Sequence, residues 1–227
     1  MRVIYACDVG STRPRGDAPP NFAWARVEPE TDSKVIGSSD IRTLATALER
    51  DLRRGYSVAL GIEAPLFIPV PLNADDLSHG RQGEGRFSFA ASVGAAVATL
   101  GMHQAAWLLR RLFESCGGMC TFTLDCQKWP PNTSRPVFFC WEAFVSGSAK
   151  GTSHVQDAAT AAMVFLEHEH SLAAIKDVTA DYPFSLIGAV ALWSGWATDH
   201  SILHRSTVVI KPARPYQGKI EDASSWL

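Results

Sequence analysis

The chain has 227 residues, 46% hydrophobic and 19% charged, a composition that supports a buried core and excludes a disordered or fibrous sequence. Its formal net charge of −2 excludes the global basic footprint expected of a pure nucleic-acid-binding module. The length suits one domain, with a core over about residues 1–170 and a C-terminal extension over about 171–227.

The apolar N-terminal run is too short for a signal-peptide core, so a cytoplasmic protein is expected. Residues 2–9 are almost wholly apolar until Asp8, as in a central strand covered on both faces. After a Pro- and Gly-rich turn, residues 21–27 and 34–38 read as two more strands at hairpin spacing. Asp40 caps a helix whose apolar positions Ile41, Leu44, Ala45, Leu48 and Leu52 follow helical spacing, and Gly55 ends it. A fourth strand, 57–64, again meets an acid, Glu63.

Residues 65–86 show no apolar periodicity and read as a long surface loop. Ser88 opens a helix to about Ser115; its apolar stretch 89–109 nears membrane-spanning length, but His103, Gln104 and the Ala and Gly content predict a buried helix and no membrane partner. A connection over 116–136 leads to a fifth strand, 137–145, carrying Glu142. Ser153 or His154 begins a helix through His168, and the tail adds an apolar helix, 183–197, and a strand-like 206–211. The tail helix suits either the core or a homodimer interface. Cys7, Cys116, Cys120, Cys126 and Cys140 are odd in number and irregularly spaced, which predicts reduced thiols over disulfides or zinc. Asp199, His200 and His204 read as a polar connection.

The order β-β-β-α-β-α-β-α predicts an α/β fold: a mixed five-stranded sheet with helices on both faces and right-handed later crossovers. Strand ends gather in such a sheet, and Asp8, Glu63 and Glu142 each stand late in a strand. His154 and Asp157, three apart at a helix start, share a face. Carboxylates so gathered repel one another unless a cation lies between them, and oxygen-rich sets of this kind suit Mg²⁺ or Mn²⁺.

Three segments carry a family resemblance: Ala6-Cys7-Asp8-Val9-Gly10-Ser11 before a hairpin, Leu60-Gly61-Ile62-Glu63-Ala64-Pro65, and His154-Val155-Gln156-Asp157-Ala158-Ala159. Over about residues 2–169 they resemble the ribonuclease-H-like superfamily, in particular RuvC-type Holliday-junction resolvases and a family of predicted nucleases of unknown function. The resemblance implies a metal-dependent nuclease in which Asp8, Glu63, His154 and Asp157 are catalytic. It also implies two Mg²⁺ or Mn²⁺ ions, bridged by Asp8 and completed by Glu63 and Asp157. The predicted nucleases share the loop Arg81-Gln82-Gly83-Glu84-Gly85-Arg86 and an acid on the fifth strand, here Glu142, a further metal ligand by that likeness. A nucleic-acid substrate, DNA or RNA, follows, and Arg13, Arg15, Arg81 and Arg86, in loops expected to flank Asp8 and Glu63, are candidate phosphate contacts. The near-neutral charge weighs less against a nuclease, whose own acids lower the sum. Two other readings stand beside it: an actin-like or sugar-kinase-like ATP-binding protein, because Asp8-Val9-Gly10-Ser11-Thr12 resembles their first phosphate loop, and a non-catalytic interaction protein with the same fold.

Overall fold

A computed structural model describes residues 1–14, 16–29, 34–132 and 134–226. It is an α/β structure built on a mixed, mostly parallel sheet. Strands β1 (Arg2–Asp8), β2 (Ala23–Val27) and β3 (Val35–Ser38) form an antiparallel meander. Helix α1 (Ile41–Arg53) returns the chain to β4 (Ser57–Glu63), which lies parallel to β1. After the short β5 (Phe67–Pro69), helix α2 (Ser92–Cys116) and β6 (Thr121–Thr123) lead to β7 (Val137–Ala143), parallel to β4, and then to α3 (His154–His168). The chain ends with β8 (Pro183–Ser185), α4 (Leu186–Ser194), β9 (Val209–Ile210) and β10 (Ile220–Asp222).

The central strands are apolar along most of their length and nearly all buried, as suits strands covered on both faces. Side chains alternate along a strand, so Val3, Tyr5 and Cys7 of β1 join Leu44 and Leu48 of α1 and Leu108 and Leu112 of α2 on one face. Ile4 and Ala6 join Ala158, Ala162 and Phe165 of α3 on the other. The alanines of α3 let it lie close to the sheet, and Trp141 fills the space over Gly61 where any side chain would strike its ring. Among the described residues, no helix is long and apolar enough to cross a membrane, and the five cysteines are free thiols.

The observed sheet corrects the expected one in extent. It has eight strands rather than five, in the order β10-β3-β2-β1-β4-β7-β6 with β9 also on β7. The added strands β6, β9 and β10 are two or three residues long, too short to carry an alternating pattern. The segment after α3 therefore contributes to the sheet: β10 extends one edge beside β3, and β9 pairs the end of β7. The expected tail helix 183–197 divides into a strand, β8, paired with β5 and the shorter α4, whose first turn is capped by the Ser185 hydroxyl. Helix α2 begins at Ser92 rather than Ser88, because the Ser88 hydroxyl accepts from Ala90 N in the turn that precedes it.

Candidate functional site

Asp8 and Glu63 end β1 and β4 and are direct register partners across the parallel pair. Since partners in register point to the same face, both carboxylates emerge on the α3 side. The first turn of α3 stands opposite them. Ser153 fixes that turn by accepting from Gln156 N at 3.2 Å, and it presents His154 and Asp157 on one helix face. His154 Nδ1 lies 2.6 Å from Asp8 Oδ2, and Asp157 Oδ1 accepts from Gly151 N at 2.6 Å. One ligand atom each from Asp8, His154 and Asp157 falls within a common span of 4.8 Å. The acids lie deep and the histidine at the mouth: side-chain exposure is 7% for Asp8, 5% for Asp157 and 45% for His154.

Lys150 completes the cluster. Its Nζ lies 2.8 Å from Glu63 Oε1 and 3.1 Å from Asp157 Oδ2. Burial raises the Asp8 carboxyl above its ordinary range, and the charges of Lys150 and His154 bring it back only in part. Glu63 is pushed well up, by burial first and by the Asp8 charge next. Burial works against the Lys150 charge, but Glu63, Asp8 and Asp157 more than offset it and hold the ammonium protonated. Three carboxylates, of Asp8, Glu63 and Asp157, thus gather around one ammonium, with the His154 ring on Asp8 at the mouth. Glu63 Oε2 is buried and has no hydrogen-bond partner among the described residues.

Glu142 does not join this cluster. It pairs in register with Ile62, one residue before Glu63, and so projects from the opposite face of the sheet. There Arg81 Nη2 and Nη1 donate to its two oxygens at 2.6 and 2.7 Å, and Leu66 N donates to Oε2 at 2.8 Å. Arg81 also donates through Nε and Nη2 to Glu84 Oε1 at 2.9 and 2.7 Å. Burial opposes the Arg81 charge, yet the Glu142 and Glu84 carboxylates raise its pKa above the ordinary value. The expectation that Arg81 contacts substrate phosphate is thus corrected: its side chain is 0% exposed and its donors are committed inside the protein. The expectation that Glu142 ligates metal beside Asp8 is corrected by the same geometry.

Arg13 and Arg86 are exposed, with the Arg86 guanidinium 4.9 Å from the centre of the Phe87 ring. Arg15 lies outside the described residues. Among the described residues the only His, Cys, Asp and Glu group close enough to hold an ion is Asp8, His154 and Asp157, so Cys116, Cys120 and Cys126 form no such group. Asp199 caps the turn His200–His204 by accepting from Ser201 N, as suits a polar connection. Lys150 is the site residue that sequence reasoning missed. Its one signal is its place in the short connection between the fifth strand and the helix bearing His154, which has to pass over the strand ends. Comparison with protein-family models, with curated proteins and with solved structures gives no match for this chain.

Proposed function

We propose that the protein is a divalent-metal-dependent nuclease that hydrolyses phosphodiester bonds, and that its sheet is of the ribonuclease-H-like kind. The observation that carries this reading is the in-register pair Asp8 and Glu63 at adjacent strand ends, faced by His154 and Asp157 from the first turn of α3. The meander β3-β2-β1 continued in parallel by β4 and β7, with helices on both faces, is the layout that reading expects. The residues also fit Mg²⁺ or Mn²⁺. Their donors are hard carboxylate oxygens, the acids outnumber the one ammonium, and Glu63 keeps a buried oxygen without a partner among the described residues.

Asp8, His154 and Asp157, which bring one donor atom each within 4.8 Å, would hold a metal ion, and Glu63 is the remaining carboxylate for a second one. A metal ion held there would supply a Lewis acid for the phosphoryl oxygens and would lower the pKa of a water towards neutrality. Asp8 fixes the His154 ring through Nδ1. When that nitrogen carries the proton, the other ring nitrogen has one lone pair, which serves either as a metal donor or as the base for a water at the mouth of the site, not as both at once. Asp157 is oriented by the Gly151 amide, and Ser153 fixes the turn that sets both His154 and Asp157. Arg13 and Arg86, exposed and positively charged, are the candidates for gripping a DNA or RNA backbone.

The test is incubation with single-stranded, duplex and branched DNA and RNA in Mn²⁺. Cleavage of at least one substrate, lost on adding EDTA and lost in Asp8→Asn, is expected. Equal cleavage by Asp8→Asn contradicts the assignment, as does absence of cleavage of every substrate under conditions where a control nuclease works. Nucleotide-dependent stabilisation with no response to metal alone would instead favour the phosphate-loop reading.

A further inference from the structure

A two-ion site needs two centres about 3.5–4 Å apart that share a carboxylate. A single hard ion holds its oxygens at about 2.1 Å, so opposite donors in one shell lie about 4 Å apart. Asp8, His154 and Asp157, with one donor atom each inside 4.8 Å, are close to that size already. The second centre would have to draw on Glu63 together with Asp157 or Asp8. That position is taken: Lys150 Nζ bridges Glu63 Oε1 at 2.8 Å and Asp157 Oδ2 at 3.1 Å.

The backbone around Lys150 is held on both sides. Its own N–H donates to Gly147 O at 3.3 Å, across a turn in which Gly147 adopts φ 59°, a left-handed conformation suited to glycine. The next amide, Gly151 N, donates to Asp157 Oδ1, and Thr152 N donates to Gln156 Oε1 at 2.7 Å. The lysine therefore enters the site from an anchored segment rather than from a free loop.

We infer that Lys150 is a resident cation standing where a second divalent ion would sit, so that the site takes one metal ion, at Asp8, His154 and Asp157. The assignment rests on the metal-dependent reading above and departs from it in stoichiometry. Lys150 positions Glu63 and Asp157 and supplies fixed positive charge beside the ion, as a compact ammonium with three donors can.

Counting bound Mn²⁺ by equilibrium dialysis, with electron paramagnetic resonance of the free ion, tests this on the whole chain. The expected result is one ion per chain for the native protein, two for Lys150→Met and one for Lys150→Arg, which keeps the charge. Circular dichroism establishes that each variant is folded; should Lys150→Met not fold, the native count decides, one ion supporting the assignment and two overturning it. A folded Lys150→Met that still binds one ion also overturns it, while leaving the metal-dependent reading intact. No Mn²⁺ bound by any of the three proteins overturns both.

Discussion

Two acidic clusters lie back to back on this sheet, and their strand-end acids are only one residue apart in register. Glu63 pairs across with Asp8, and its neighbour Ile62 pairs with Glu142, so Glu63 and Glu142 leave opposite faces. On the α2 side, Glu142 and Glu84 share one guanidinium whose donors are all directed at acceptors, and the cluster is sealed from solvent. On the α3 side, the acids outnumber the base, one carboxylate oxygen has no partner among the described residues, and the histidine opens to solvent. The closed cluster spends its electrostatics on holding the loop 81–84 to β7 and β5. The open one keeps negative charge uncompensated, as a group awaiting a cation must. A strand-end carboxylate is therefore read by its face and its partners rather than by its position alone.

The largest expected effect comes from breaking the closed cluster. Arg81→Met leaves Glu142 and Glu84 buried without their counter-charge, and such losses cost about 3–5 kcal/mol. Urea denaturation should show this as a lower midpoint. A midpoint unchanged within error would contradict the structural role given to Arg81.

The open cluster should respond in the other direction. Asp8→Asn or Glu63→Gln removes a carboxylate that burial disfavours by more than its neighbours offset, so each variant should stabilise the metal-free protein, by about 0.5–2 kcal/mol. The pH dependence follows from the raised pKa values of Asp8 and Glu63. Below the ordinary carboxylate range, folded and unfolded chains both carry these protons and the penalty is absent. As pH climbs towards the raised values the unfolded chain has released them while the folded one retains them, so stability falls with rising pH. Melting in EDTA across this range should show native protein losing stability relative to Glu63→Gln as pH rises. A difference that is flat, or that grows in favour of the native protein, would rule out the burial penalty on these carboxylates.

Ser153→Ala sharpens the comparison at lower cost. Losing the cap at the start of α3 should destabilise by about 1 kcal/mol. It should also weaken Mn²⁺ binding, because His154 and Asp157 ride on the uncapped turn. Unaltered Mn²⁺ affinity would separate the cap from the site.

Much of the site was legible from residue order. Asp8 and Glu63 stand where apolar strand runs meet an acid, and His154 and Asp157 stand at helical spacing after a serine cap. Glu142 was misread because alternation is visible within a strand, whereas register between strands is not: a one-residue offset carries an acid to the other face. Arg81 was misread because a Gly-rich loop has no periodicity to mark an inward turn; Glu84, three residues on, is its one local signal. Lys150 escaped because nothing in a short connection marks which residue the crossing will set over the strand ends. The α/β order was legible in the long elements, and the sheet's extra breadth was not, since β6, β9 and β10 add hydrogen bonds without a pattern.

The central claim is that metal answers to the face of the sheet bearing Asp8 and Glu63. The direct measurement is the Mn²⁺-dependent rise in melting temperature of Asp8→Asn, Glu63→Gln and Glu142→Gln beside the native protein. The account predicts that the rise is lost in the first, altered only through Lys150 and so at most reduced in the second, and kept in the third, even though Glu142→Gln lowers the starting temperature. A rise kept in Asp8→Asn, or abolished in a folded Glu142→Gln, would contradict it.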